Sequence, residues 1–203
     1  MARRLIVGIS GATGAIYGIR LLEVLREASE IETHLVITKA AERTIGWETA
    51  YTLEQVARMA TVRYPVADVG AALSSGSFPT AGMVIAPCSV KTLAAIAHGW
   101  SDNLLTRAAD VTLKEQRRLV LLVREAPLTL AHIRNMAACA EMGAIVVPPV
   151  PAFYNHPKTI DDIVNHTIGR VLDLFSIDTG VVKRWEGMAR AHRPRKDLKT
   201  RSK

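Results

Sequence analysis

The chain has little of what builds a metal centre or a membrane anchor. It holds two cysteines, Cys88 and Cys139, far apart and without a C-x-x-C pair. That excludes a disulfide framework and leaves both thiols expected reduced and buried. The six histidines, His34, His98, His132, His156, His166 and His192, form no H-x-x-x-H pair and no cluster with cysteine. No metal site is expected. No apolar run approaches the roughly 18–20 residues of a membrane-crossing helix. The opening MARRLIVGIS is broken by glycine and serine before a signal-peptide core can form. These absences point to a cytoplasmic protein without a membrane partner. Two phosphate-loop signatures are missing as well, since neither G-x-G-x-x-G nor G-K-[ST] follows the first apolar run.

Charge is unevenly placed. The chain carries a formal +7, yet residues 190–203, RAHRPRKDLKTRSK, contribute +6 from seven Lys/Arg and one Asp. The remaining body is nearly neutral at +1. A like-charge block without apolar anchors is expected to be a solubilising tail. No aromatic residue interleaves it, so no nucleic-acid partner is expected. The boundary is drawn as one domain over residues 1–189 followed by that tail, and 203 residues at 49% hydrophobic suffice for one packed core.

What is present alternates. Apolar runs at 4–9, 32–38, 82–87, 119–125 and 144–149 read as strands. Helix-like stretches at 15–28, 41–48, 52–60, 89–99, 103–115, 130–143 and 160–175 separate them. Strands apolar throughout and separated by helices predict a parallel sheet buried on both faces. The expected fold is a three-layer α/β doubly wound sheet of the Rossmann or flavodoxin-like kind. Ligands then bind beyond the carboxyl ends of the strands.

Those strand ends carry glycines, hydroxyls and cations. The first run feeds GISGATGAIYG, residues 8–18, with Ser10 and Thr13 between four glycines. Glycines allow a tight turn and a close backbone approach, and the following helix start is expected to meet an anion. Thr38 and Lys39 follow the second run, Cys88-Ser89-Val90-Lys91-Thr92 the third, Arg124-Glu125 the fourth, and the segment containing Phe153, Tyr154 and Asn155 the fifth. Several such groups aimed at one crevice point to a phosphorylated, mononucleotide-sized ligand. A dinucleotide would want an acidic residue closing the second strand, where Thr38 stands. Trp47 is expected in the core, Trp100 and Phe153 in packing or subunit contact, and Cys88 as a small buried residue rather than a nucleophile.

GISGATGA, APCSVKTLAAIAHGWSDNLLTRAADVTLKE, LVREAP and PPVPAFYNHP occur in one order through about residue 187. Together they resemble the UbiX flavin prenyltransferases. ETHLV, SSGSF (74–78) and PAFYNHP look most like the small family members that accompany hydroxyarylic acid decarboxylases. The resemblance implies transfer of dimethylallyl from dimethylallyl phosphate to N5 and C6 of reduced FMN, without metal. The prenylated FMN would serve a separate UbiD-type decarboxylase. It also implies a homo-oligomer, typically a dodecamer.

By matching positions, the resemblance places FMN on Gly11, Ala12, Thr13, Thr38, Ser89, Val90, Lys91, Thr92 and Arg124. It places dimethylallyl phosphate on Tyr154 and Arg170, with Lys114 and Arg107 around the phosphate and Trp185 closing the site. Glu48, Glu125 and Lys114 are the expected catalytic groups. The rival expectations are a flavin-dependent cysteine-type decarboxylase and a non-catalytic FMN-binding subunit of a decarboxylase complex. The first carries a Pro-Ala-Ser-Ala-Asn-Thr motif, whose asparagine is absent from Pro87-Cys88-Ser89-Val90-Lys91-Thr92. The second has no need of Lys114, Arg124, Tyr154 and Arg170 together.

Overall fold

Alternation along apolar strands sends successive side chains to opposite faces of a sheet, so a run without polar residues must be covered twice. The computed structural model, which describes residues 3–180 and Gly187, shows this. In β1 (Arg3–Ile9), Leu5, Val7 and Ile9 join one core cluster and Ile6 the other. In β5 (Arg118–Val123), Val120 and Leu122 face the first cluster, and Leu119, Leu121 and Val123 the second. Helices α1 (Ala15–Arg26), α2 (Lys39–Glu48), α3 (Leu53–Ala57) and α7 (Ile160–Asp173) contribute to the first. Helices α4 (Val90–Ala97), α5 (Leu104–Lys114) and α6 (Leu130–Glu141) contribute to the second.

The remaining strands are β2 (Ile31–Ile37), β3 (Val62–Tyr64), β4 (Gly82–Cys88) and β6 (Ile145–Val146). All pairings are parallel, in the order β3-β2-β1-β4-β5-β6. The order reverses between β1 and β4, whose following helices α1 and α4 lie on opposite faces, and this opens a crevice at their carboxyl ends.

All five expected strands form, and the three-layer doubly wound architecture holds. The sixth, β3, has no counterpart among the expected strands: two half-buried residues flanking an exposed arginine on the sheet edge carry no strand-length apolar signal. β6 is shorter than the 144–149 run because Pro148 and Pro149 have no N–H to continue a ladder. Trp47 corrects the expectation for α2. Its inward face is Ala41 and Ile45; two residues further on, Trp47 points outward and is 92% exposed. Both cysteines are free and buried as expected. The domain boundary at 189, the tail 190–203 and Trp185 lie outside the described residues.

Candidate functional site at the sheet switch point

The turn after β1 is shaped by two glycines. A Cβ on Gly11 would lie 2.3 Å from the Ala40 Cβ, so only glycine lets this loop close onto the start of α2. Gly14 has φ 91° and begins α1 without a side chain to cap it. The carboxylate of Glu48, from the end of α2, takes over that task. It accepts from the N–H groups of Gly14 at 2.7 Å and Ala15 at 3.2 Å. The start of α1 is therefore already met by an acidic side chain of the protein, which differs from the expectation that it faces a ligand anion.

Other helix starts do reach the crevice. Thr38 caps α2, accepting from Ala41 N–H at 3.2 Å. Ser89 caps α4, accepting from Thr92 N–H at 3.3 Å. Asn103 caps α5, accepting from the N–H groups of Leu105 and Thr106. These three starts border one cleft of about 710 Å³, within the roughly 300–1,000 Å³ typical of small-molecule sites.

The cleft gathers every residue expected to hold the flavin: Gly11, Ala12, Thr13, Thr38, Ser89, Val90, Lys91, Thr92 and Arg124 all line it. Glu125 lines it too. Arg124 is held by its backbone, whose N–H donates to Cys88 O at 3.0 Å. Lys39, a cation expected at a strand end, lines the cleft as well, and so do Arg43, Asn103 and Thr106, which are not among the expected site residues. Arg43 stands four residues after Lys39 and so shares a face of α2, a spacing that a solvated helix face shows equally. Among the described residues, no ion pair or side-chain hydrogen bond engages Lys39, Arg43, Lys91 or Arg124. Four unpaired cations thus stand against two lining carboxylates, Asp102 and Glu125.

Of the other expected residues that the structure describes, Glu48, Arg107, Lys114, Tyr154 and Arg170 do not line the cleft. Arg107 points out of the cleft, donating to Asp110 at 2.6 Å and to Ser74 O at 3.3 Å. Lys114 ends α5 and pairs with Glu115, whose carboxyl is held below its ordinary value chiefly by that lysine. Eleven residues of helix put it about 16 Å along the axis from the start that borders the cleft.

Tyr154 and Arg170 both neighbour His166. The Tyr154 hydroxyl is 2.8 Å from His166 Nε2, with the rings edge to face. Burial lowers the His166 pKa, and the Arg170 charge one turn along α7 lowers it further. In the sequence, His166 is only a histidine without a cluster. A capping box at Thr159 and Asp162 fixes the start of α7. Cys88 is fully buried, and burial pushes its thiol well above the usual range, so it is no nucleophile.

Fold and cleft together define an α/β protein with a cation-lined cleft at a sheet switch point. Residues 1–172 match the Flavoprotein family. The chain is 56% identical to the flavin prenyltransferase UbiX of Salmonella typhimurium over 187 residues, 91% of this chain and 99% of that one. It is 56% identical to the Neisseria meningitidis enzyme of the same name over 189 residues, 93% and 100% of the two chains. Among solved structures, AnUbiX (PadA1) in complex with FMN and dimethylallyl pyrophosphate superposes with a TM-score of 0.91 at 49% identity, over 93% of this chain and all of that one. A dodecameric FMN-dependent UbiX-like decarboxylase from Escherichia coli gives 0.89 at 53%, over 91% and 100%. The chain belongs to the UbiX flavin prenyltransferases, within the flavoproteins. The cysteine decarboxylase TvaF, at 19% identity and a TM-score of 0.59 over 72% of this chain and 90% of that one, shares the fold alone.

Proposed function

We propose that the protein prenylates reduced FMN, taking the dimethylallyl group from dimethylallyl phosphate. The observation that carries the reading is the cleft itself: four unpaired cations and three helix starts around the loops after β1 and β4. That donor set fits a phosphate monoester, and the resemblance places the flavin on the same loops.

Reduced FMN supplies the nucleophilic N5 and C6 positions. The chain's own residues manage charge and protons. As the allylic C–O bond breaks, its electron pair leaves with the phosphate. Arg124, Lys114 and Arg170 stabilise that charge, Arg107 supports it, and the Tyr154 hydroxyl donates a hydrogen bond. The C6 proton passes to Glu125 or to the released phosphate, and Glu48, fixed on the first N–H groups of α1, handles the proton at N5. Water must be excluded while the allylic carbon is electron-poor.

Lys114 is at the far end of α5 and Tyr154 lies on another surface, so we assign the complete site to an assembly of copies. The product would pass to a UbiD-type decarboxylase. A cytoplasmic setting suits the two reduced thiols.

The test is anaerobic. Protein, reduced FMN and dimethylallyl phosphate are mixed and the extracted flavin is weighed by mass spectrometry. A gain of one five-carbon prenyl unit is expected, and its loss in Arg170→Ala. An unchanged flavin despite tight FMN binding overturns the transferase reading. Release of CO2 from an aromatic acid by this chain alone would favour a decarboxylase.

A further inference from the structure

The β1–β4 ladder ends at the Gly8–Ile85 pair, before either loop of the cleft begins. Pro87, two residues on, has no N–H with which to extend it. Four hydrogen bonds meet instead on Ser10, which is 1% exposed and does not line the cleft. Its N–H donates to Pro87 O at 3.2 Å, and its hydroxyl donates to the same oxygen at 2.8 Å. Its Oγ accepts from Ser89 N–H at 2.8 Å. Its carbonyl accepts from Ala12 N–H at 2.9 Å.

Each partner leads to the site. Ala12 sits in the loop after β1. Ser89 is the cap of α4, and its hydroxyl accepts from Thr92 N–H and donates to Thr92 Oγ1 at 3.1 Å. Ala12, Ser89 and Thr92 all line the cleft. Without the Ser10 hydroxyl, the Ser89 N–H has no acceptor among the described residues, and Ser10 keeps only one backbone bond, to Pro87 O, across to β4.

We infer that Ser10 is a positioning residue. Its hydroxyl latches the loop after β1 to the loop after β4, across the switch point and beyond the reach of the ladder. It sets the separation at which two groups of backbone donors converge on one ligand. The role rests on FMN being that ligand. Ser10 touches no ligand itself and acts through Ala12 and Ser89.

Ser10→Ala removes the latch and little volume. Thr112→Val is the control, because Thr112 is equally buried and its hydroxyl bonds only Ala108 O within α5. FMN affinity is read from flavin fluorescence, stability from thermal unfolding, and loop order from amide hydrogen exchange. Ser10→Ala is expected to weaken FMN binding about tenfold and to speed exchange at Ala12 and Ser89. Thr112→Val is expected to lower the melting temperature while leaving FMN affinity within about twofold. In the unaltered protein without FMN, the Ser89 amide is expected to be as protected as those of β4. Equal FMN affinity in Ser10→Ala and Thr112→Val overturns the latch, as does a Ser89 amide that exchanges freely. An unaltered chain that holds no FMN overturns the cofactor reading, and the latch with it.

Discussion

Gly14 and Glu48 divide one task between two elements. A left-handed residue is needed where the loop turns into α1, glycine takes that conformation without strain, and it then has nothing with which to cap the helix. Glu48 supplies the missing acceptor from 34 residues away. Glu48→Ala is expected to lower stability by roughly 1 kcal/mol, and Glu48→Gln by less, since an amide oxygen still accepts. A urea midpoint unmoved by Glu48→Ala would remove the cap. If the carboxylate also moves a proton, Glu48→Gln loses turnover while keeping most of its stability, and the pair of variants separates the two roles. At this scale the cleft is largely legible in the sequence, because each expected flavin contact follows the end of an apolar run. The role of Ser10, there only a hydroxyl between glycines, and that of Arg43 are not legible. An inward-turned hydroxyl and an i, i+4 cation are indistinguishable in a sequence from a plain turn residue and a solvated helix face.

The edge strand β3 depends on a side-chain cluster. His34 on β2 is 2% exposed. The Tyr64 hydroxyl of β3 lies 2.9 Å from its Nδ1, and Glu32 Oε1 lies 3.1 Å from its Nε2. A neutral imidazole satisfies both: Tyr64 O–H donates to Nδ1, and Nε2–H donates to Glu32. Phe78 packs edge to face on the ring at 5.3 Å, with Arg4 above Phe78. Burial lowers the His34 pKa, outweighing the Glu32 charge that raises it. The unfolded chain therefore takes up a proton near the ordinary value of 6.5 that the folded chain refuses. Stability falls as pH drops through that value toward the folded one, and the contribution is flat well above it. A lower urea midpoint at about pH 5.5 than at about pH 7.5 is expected, with a shallower decline in His34→Gln. His166 is shifted in the same direction, so the variant removes part of the slope. An identical slope in His34→Gln would exclude this residue as a source. Continuous apolar runs make five strands readable; β3 draws its stability from a histidine, a tyrosine and a neighbouring strand, none of which forms a local pattern.

The whole molecule leaves large apolar side chains uncovered: Trp100 is 68% exposed, Phe153 71%, Val150 73% and Ile160 78%. The first two are expected in packing or subunit contact; within one protomer they are exposed, as apolar residues at contacts between copies would be. A solved relative is a dodecamer. The fold and its crevice can be read from one chain's pattern. The proposed grouping of Lys114, Tyr154 and Arg170 with a cleft cannot, because periodicity describes one protomer and carries nothing about its neighbours. The length of α5 has a genetic consequence. If its far end serves another copy's cleft, a defect in Lys114 and a defect in Arg124 damage different partners. Lys114→Ala and Arg124→Ala, each silent alone, would complement one another when co-assembled, with about one site in four drawing both intact residues by random assortment. Co-assembled copies that stay silent would mean that each protomer works by itself. Recovered activity would mean that the heritable unit of catalysis is the assembly, and that a recessive lesion in one copy can be masked by a different lesion in its neighbour.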